Sequence, residues 1–297
     1  MNGYLLVDKP KGPTSHDIVM KMRKIFQTKK VGHTGTLDPM ATGLMVMLIG
    51  KATRAADYIT ASDKAYIAGL KLGVVSDTLD DTGELCYLEK KEISNEEIKE
   101  ALMSFMGKSM QVPPMYSAKK INGKKLYELA RKGEVIDREA VEINISDIRI
   151  IDIKDDNVSF YVHCSKGTYI RSLIDDFGKK LGYGAVMTSL RRVSTGHFSF
   201  ESDKVYTLDE IEKNSDPLSL LSPIDKSFCD YAKIVFDENQ EKFIKNGIPF
   251  DFSRSRIENI YNIGDIIRAY NEKNEFFALM EVCPDDILKL KTTFYVQ

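Results

Sequence analysis

The chain reads as an α+β protein, a mixed and largely antiparallel sheet flanked by helices, followed by a small β-rich unit. Strand-like and helix-like runs mix without the regular strand–helix alternation of a doubly wound sheet. Hydrophobic residues make up 43% of 297, enough for one large core or for a large and a small one. A Ser-, Pro- and Asp-rich stretch at 213–227 precedes a final series of short β-like runs and marks the approach to a boundary. The two parts are expected at 1–228 and 229–297.

Residues 3–7 read as a strand, and Thr14 or Ser15 caps a helix whose Ile18, Val19, Met22, Ile25 and Phe26 share one face. A Gly- and Thr-rich stretch, 32–43, leads into the continuous apolar run 44–49, of buried-strand type. From Lys64 to Leu72 the pattern alternates, placing Tyr66, Ala68, Leu70 and Leu72 on one face. Ser94-x-x-Glu97 is a capping box with Ile93 and Ile98 as a staple, opening a helix toward Gly107. Asn122-Gly123 predicts a tight turn, 126–132 a short helix stopped by Gly133, and 141–153 and 158–164 strands. The segment 169–181 is helical up to Gly182, and 185–200 returns to strand. Beyond 228, β-like runs at 233–236, 266–270 and 276–282 and a helix near 237–246 complete the second unit.

No apolar run approaches the ~20 residues that span a bilayer. The N-terminus lacks the basic and apolar regions of a secretion signal. Cys86, Cys164, Cys229 and Cys283 form no C-x-x-C pair, which argues against a zinc site or a disulfide framework and fits a reducing cytoplasm. Net charge is -2, but it is unevenly spread. Residues 1–54 carry nine Lys/Arg against three Asp/Glu, 108–133 seven against one, and 201–297 twelve against nineteen. Such a chain can turn a cationic face to phosphates, although Lys-rich helices are also commonly just solvated.

The segment with the most unusual composition is Gly-His33-Thr-Gly-Thr-Leu-Asp38-Pro-Met-Ala-Thr-Gly43. As a phosphate cradle it fails, because it matches neither a P-loop nor G-x-G-x-x-G. Asp38 before Pro39 is by itself a common turn former, and a lone His33 is more often structural than a ligand. Asp77-Thr-Leu-Asp80-Asp81-Thr-Gly83 lacks the spacing of a calcium loop and reads as a turn.

Taken together, however, the motifs resemble one family. GHTGTLDPMATG at 32–43 looks like the catalytic motif of the TruB family, the bacterial tRNA pseudouridine-55 synthases. Val7-Asp8-Lys9-Pro10 resembles its N-terminal motif, and Lys64-Ala-Tyr66 with Leu72-Gly73 its second. Gln111-Val-Pro-Pro-Met-Tyr116-Ser-Ala-Lys119 with Gly123-Lys-Lys-Leu-Tyr127 resembles a third. Cys164-Ser-Lys-Gly-Thr-Tyr169-Ile-Arg171 and Leu190-Arg191-Arg192 complete an ordered set spanning 3–192.

The resemblance implies that Asp38 is the catalytic aspartate and that Tyr66 stacks on the target base. It implies that Arg171 pairs with the aspartate, that Tyr169 and Leu190 line the pocket, and that His33 fills the space left by a flipped base. The small C-terminal unit takes the place of the family's RNA-binding PUA domain by position and size, although its acidic balance departs from a simple phosphate-binding expectation. The implied partner is the T-arm stem-loop of tRNA, with no membrane and no obligate protein partner, and with the chain a monomer. The reaction breaks N1–C1′ of uridine and joins C5 to C1′, so it calls for no metal and no other cofactor. Two rivals share parts of this pattern. A guide-RNA-dependent synthase of the dyskerin type shares the Asp-Lys-Pro and loop motifs, but the Met40-Ala-Thr-Gly43 continuation and the lack of a basic tail favour the stand-alone form. A non-catalytic tRNA-folding chaperone would not need Asp38, Tyr66 and Arg171 together.

Overall fold

The computed structural model describes residues 2–117, 119–121, 123–130, 132–134, 136–251 and 261–294, without the side chains of residues 120, 121, 124, 125 and 127. A ten-stranded mixed sheet forms the larger unit. Along its main path the strands run Tyr206–Thr207, Gly3–Lys9, Thr42–Ile49, Ala185–Thr195, Lys64–Leu72, Asn157–Cys164, Val141–Lys154 and Gly107–Gln111. Two pairings on this path are parallel, Gly3–Lys9 with Tyr206–Thr207 and Thr42–Ile49 with Ala185–Thr195; the others are antiparallel. Val31–His33 and Phe198–Ser199 attach as short side pairings.

Period-2 alternation divides the central strands between two cores. Leu5, Val7, Met45, Met47 and Ile49 face helices Ser15–Ile25 and Ile170–Leu181. Tyr4, Leu6, Leu44, Val46 and Leu48 face the other side, where Phe228, Leu279 and Phe294 join them. Strand Thr42–Ile49, buried on both faces, is continuous in apolar character for that reason. Thr14 is the cap of the first helix, in a reciprocal capping box with Asp17, and the Ser94–Glu97 box opens helix Asn95–Met103. The expected hairpin around Asn122-Gly123 is present as Lys120–Ile121 paired with Lys124–Lys125, with Asn122 itself outside the described residues.

The segment at 213–227 is not a loose linker. Its short 3-10 turns bury Leu220 and Ile224, and Ser222 exchanges backbone hydrogen bonds with Tyr4 at 2.9 and 2.8 Å. Its Ser and Pro content serves tight turns, while the apolar residues between them anchor it. Beyond it lies a five-stranded sheet, Ala232–Phe236, Ile266–Asn271, Phe276–Cys283, Ile287–Thr293 and Phe250–Asp251, with helix Glu238–Lys245. Two of these strands, Phe250–Asp251 and Ile287–Thr293, were not expected from the sequence. No helix of the described residues is long and apolar enough to cross a membrane.

Candidate active site

Asp38 sits on the loop between strands Val31–His33 and Thr42–Ile49, and this loop is tied down along its length. Ser15 Oγ accepts from Leu37 N at 2.8 Å and donates to Leu37 O at 2.9 Å. Lys9, fully buried, donates to Ala41 O at 2.7 Å and Pro39 O at 3.3 Å. Burial and the nearby Arg192 cation bring the Lys9 ammonium down to about 8, with Asp38 opposing them. Arg192 donates to Gly35 O at 3.1 Å and Leu44 O at 2.7 Å, one before and one after Asp38. Gly43 ends the loop at φ +105, where an added Cβ would lie 2.2 Å from Arg192 O, so only glycine lets the two strands close here.

Arg171 comes to Asp38 from the first turn of helix Ile170–Leu181. Its Nη2 lies 3.0 Å from Asp38 Oδ2 and donates to Tyr116 O at 2.7 Å; its Nη1 donates to Thr78 O at 3.1 Å and lies 3.6 Å from Asp80 Oδ2. The helix start is itself fixed, because the buried Gln111 amide accepts from Tyr169 N at 2.8 Å and donates to Tyr169 O at 3.0 Å. Asp80 is saturated: Oδ1 accepts from Thr78 Oγ1 at 2.7 Å, Thr82 Oγ1 at 2.5 Å and Thr82 N at 3.1 Å. The 77–83 segment is indeed a turn, but it also delivers a second carboxylate to the guanidinium that holds Asp38.

A cation paired with Asp38, as the resemblance implied, favours the ionised carboxylate. It does pull in that direction, yet burial is larger and Asp80 adds like charge, so the Asp38 carboxyl lies above its ordinary value.

Tyr66 is almost wholly buried on strand Lys64–Leu72, directly across from Arg192, whose guanidinium interacts with its hydroxyl. Burial raises the phenol, with Arg192 opposing. Leu190 pairs with Ala68 on the same two strands and lies in the main core. Tyr169, half-buried, is the residue before the first helical turn. His33 Nδ1 accepts from Gly35 N at 3.2 Å, and burial followed by Arg192 lowers its imidazole, which favours the neutral form. The structure therefore brings Asp38 and Arg171 into contact, places Tyr66 and His33 around Arg192, and sets Tyr169 at the start of the arginine's helix. Sequence reasoning gave Lys9, Asp80, Gln111 and Arg192 no role of their own, although Lys9, Gln111 and Arg192 lay in quoted motifs and Asp80 in the segment read as a turn.

Two cavities of about 60 Å³ each lie elsewhere, one lined in part by Tyr58, His197, Ser227 and Asp230, the other by Tyr4, Asp203 and Lys204. Chemistry, not enclosed volume, locates the site. Among the described residues, His197, Cys229 and Asp230 place metal-ligand atoms within 4.8 Å of one another, all exposed and sharing no residue with the Asp38 cluster. Spacing along the chain did not reveal that group, because the fold brings a turn at 197 to residues 229 and 230.

Residues 23–170 match the TruB family pseudouridylate synthase N-terminal domain, and residues 171–227 the tRNA pseudouridylate synthase B C-terminal domain. The tRNA pseudouridine synthase B of Clostridium acetobutylicum is 43% identical over 294 residues, covering 98% of this chain and 100% of that protein. Its counterpart in Oceanobacillus iheyensis is 43% identical over 263 residues, covering 86% of each. In fold, the chain resembles a protein of an H/ACA RNP bound to a substrate RNA containing 2′-deoxyuridine, with a TM-score of 0.73 at 22% identity over 99% of this chain and 85% of that one. With its ordered motifs, its sheet and its near full-length likeness to such relatives, the chain belongs to the TruB family of pseudouridylate synthases.

Proposed function

We propose that this chain isomerises the T-loop uridine of tRNA, position 55, to pseudouridine, with Asp38 as the essential carboxylate. The observation that carries the reading is the Asp38–Arg171 pair at 3.0 Å on a loop held by Ser15, Lys9 and Arg192. A uridine stacked in a folded loop is unreachable in place and must be flipped out, at a cost of a few kcal/mol. Tyr66 offers an aromatic face to the base, while Tyr169 and Leu190 line the pocket. Neutral His33 occupies the vacated space without adding charge to the RNA loop.

Asp38 must be ionised to trap or stabilise charge at the sugar or the base. Burial works against that form, and the Arg171 guanidinium supplies the compensating charge and the aim. The N1–C1′ bond breaks, C5–C1′ forms, C5 loses a proton and N1 gains one. Nothing is oxidised and no group is added, so the chain acts without metal or nucleotide. We assign catalysis to 1–228 and a PUA-like RNA-binding role to 229–297, in a cytoplasmic monomer that needs no protein partner. The full-length likeness to bacterial synthases favours this stand-alone reading over guide-RNA dependence.

The test uses an unmodified tRNA transcript with tritium at uridine C5. Purified protein alone should release the label to water, and release should survive chelation. Absence of release would contradict the reading.

A further inference from the structure

Arg192 is 2% exposed, yet no carboxylate pairs with it among the described residues. It lies on strand Ala185–Thr195 between two register partners, Tyr66 on one side and Gly43 on the other. The oxygens around it are all neutral: Leu44 O accepts at 2.7 Å and Gly35 O at 3.1 Å, and the hydroxyl of its register partner Tyr66 interacts with the guanidinium. A second cation is close by, since a Cβ on Gly35 would meet Arg192 Nη1 at 3.0 Å and Lys64 Cε at 3.7 Å.

Burying an unpaired guanidinium beside another cation is unfavourable, and a neutral amide would suffice to satisfy two carbonyls. What a neutral amide cannot do is hold both carbonyls and still turn a further N–H and a positive charge toward a third oxygen from one rigid plane. The three are the two carbonyls bracketing Asp38 and the hydroxyl of the ring that faces the base. We propose that Arg192 is a positioning residue that locks the Asp38 loop to the Tyr66 ring, keeping carboxylate and aromatic face in one fixed relation while the detached base turns. The inference rests on the isomerase reading above.

The test is a double-mutant cycle on single-turnover tritium release, with tRNA affinity measured in parallel, well below the lowest melting midpoint of the set. Arg192→Lys keeps the charge but loses the fork. Alone, it should slow release by about tenfold or more while affinity stays within about threefold. In a Tyr66→Phe background, where the hydroxyl end of the link is already gone, the same change should cost less than about threefold. Gly35→Ala is the second probe, since it pushes on Nη1 and leaves every partner in place. It should show the same loss and the same dependence on the Tyr66 hydroxyl. Equal fold-losses in both backgrounds, or affinity falling in step with rate, would show that Arg192 serves only as scaffold and overturn the inference while the isomerase reading stands. A wild-type protein that releases no tritium would overturn both.

Discussion

Two carboxylates meet one guanidinium in this protein, and they are not equivalent. Asp80 has a side chain 5% exposed, with one oxygen taking three hydrogen bonds from Thr78 and Thr82 and the other 3.6 Å from Arg171. Asp38 has a side chain 36% exposed and lies 3.0 Å from the same arginine. The first is committed to the protein; the second keeps a face open to an incoming group. Hydrogen-bond saturation separates the acid that acts as support from the one proposed to react.

That contrast can be broken experimentally. Asp38→Asn keeps shape and most hydrogen bonding but removes the charge; single-turnover release should fall at least about a thousandfold with tRNA affinity nearly intact. A variant retaining more than about a tenth of the rate would remove Asp38 from the chemistry. Arg171→Ala strips both acids of their partner and should cost about a hundredfold or more in rate, again with a much smaller loss of binding. Tyr66→Leu, which takes away the aromatic face and spares both acids, should cost a comparable or slightly smaller factor. Gln111→Leu leaves Tyr169 N–H and C=O without their side-chain partner, so thermal or urea unfolding should report a loss of about 1–3 kcal/mol. Wild-type stability in that variant would mean that the Tyr169 backbone finds other partners and that Gln111 does not fix the helix start.

The pattern of what the sequence disclosed has a physical explanation. The roles proposed for Asp38, Tyr66 and Arg171 rest on their own side-chain chemistry, so residue type within an ordered motif pointed to them. Gln111 works on backbone groups 58 residues away, and Asp80 reaches an arginine 91 positions further along the chain; periodicity carries no trace of such pairings. Asp77–Gly83 could be read as a turn from its composition, but not as a turn that buries one of its acids. The missed strand Ile287–Thr293 follows a turn in which Asp285 and Asp286 take φ of 62 and 53, without the glycine that normally announces a hairpin. The sign of the Asp38 shift was also hidden, because it depends on how much burial and how much like charge surround the pair, and neither is written in the motif.

The division between the two acids is tested most directly by a pH series on Asp80→Asn. Asp38 must be ionised to act, and its carboxyl lies above the ordinary 3.8, so the wild-type rate should fall off on the acid side at a pH above that value. Removing the like charge of Asp80 takes away one cause of that elevation, so the acid limb should move to lower pH. The plateau should drop about tenfold, because Arg171 loses one of the two carboxylates that hold it, while tRNA affinity is unchanged. A plateau abolished as completely as in Asp38→Asn, or an acid limb that moves upward, would contradict the assignment of Asp38 as the reacting carboxylate and Asp80 as its support.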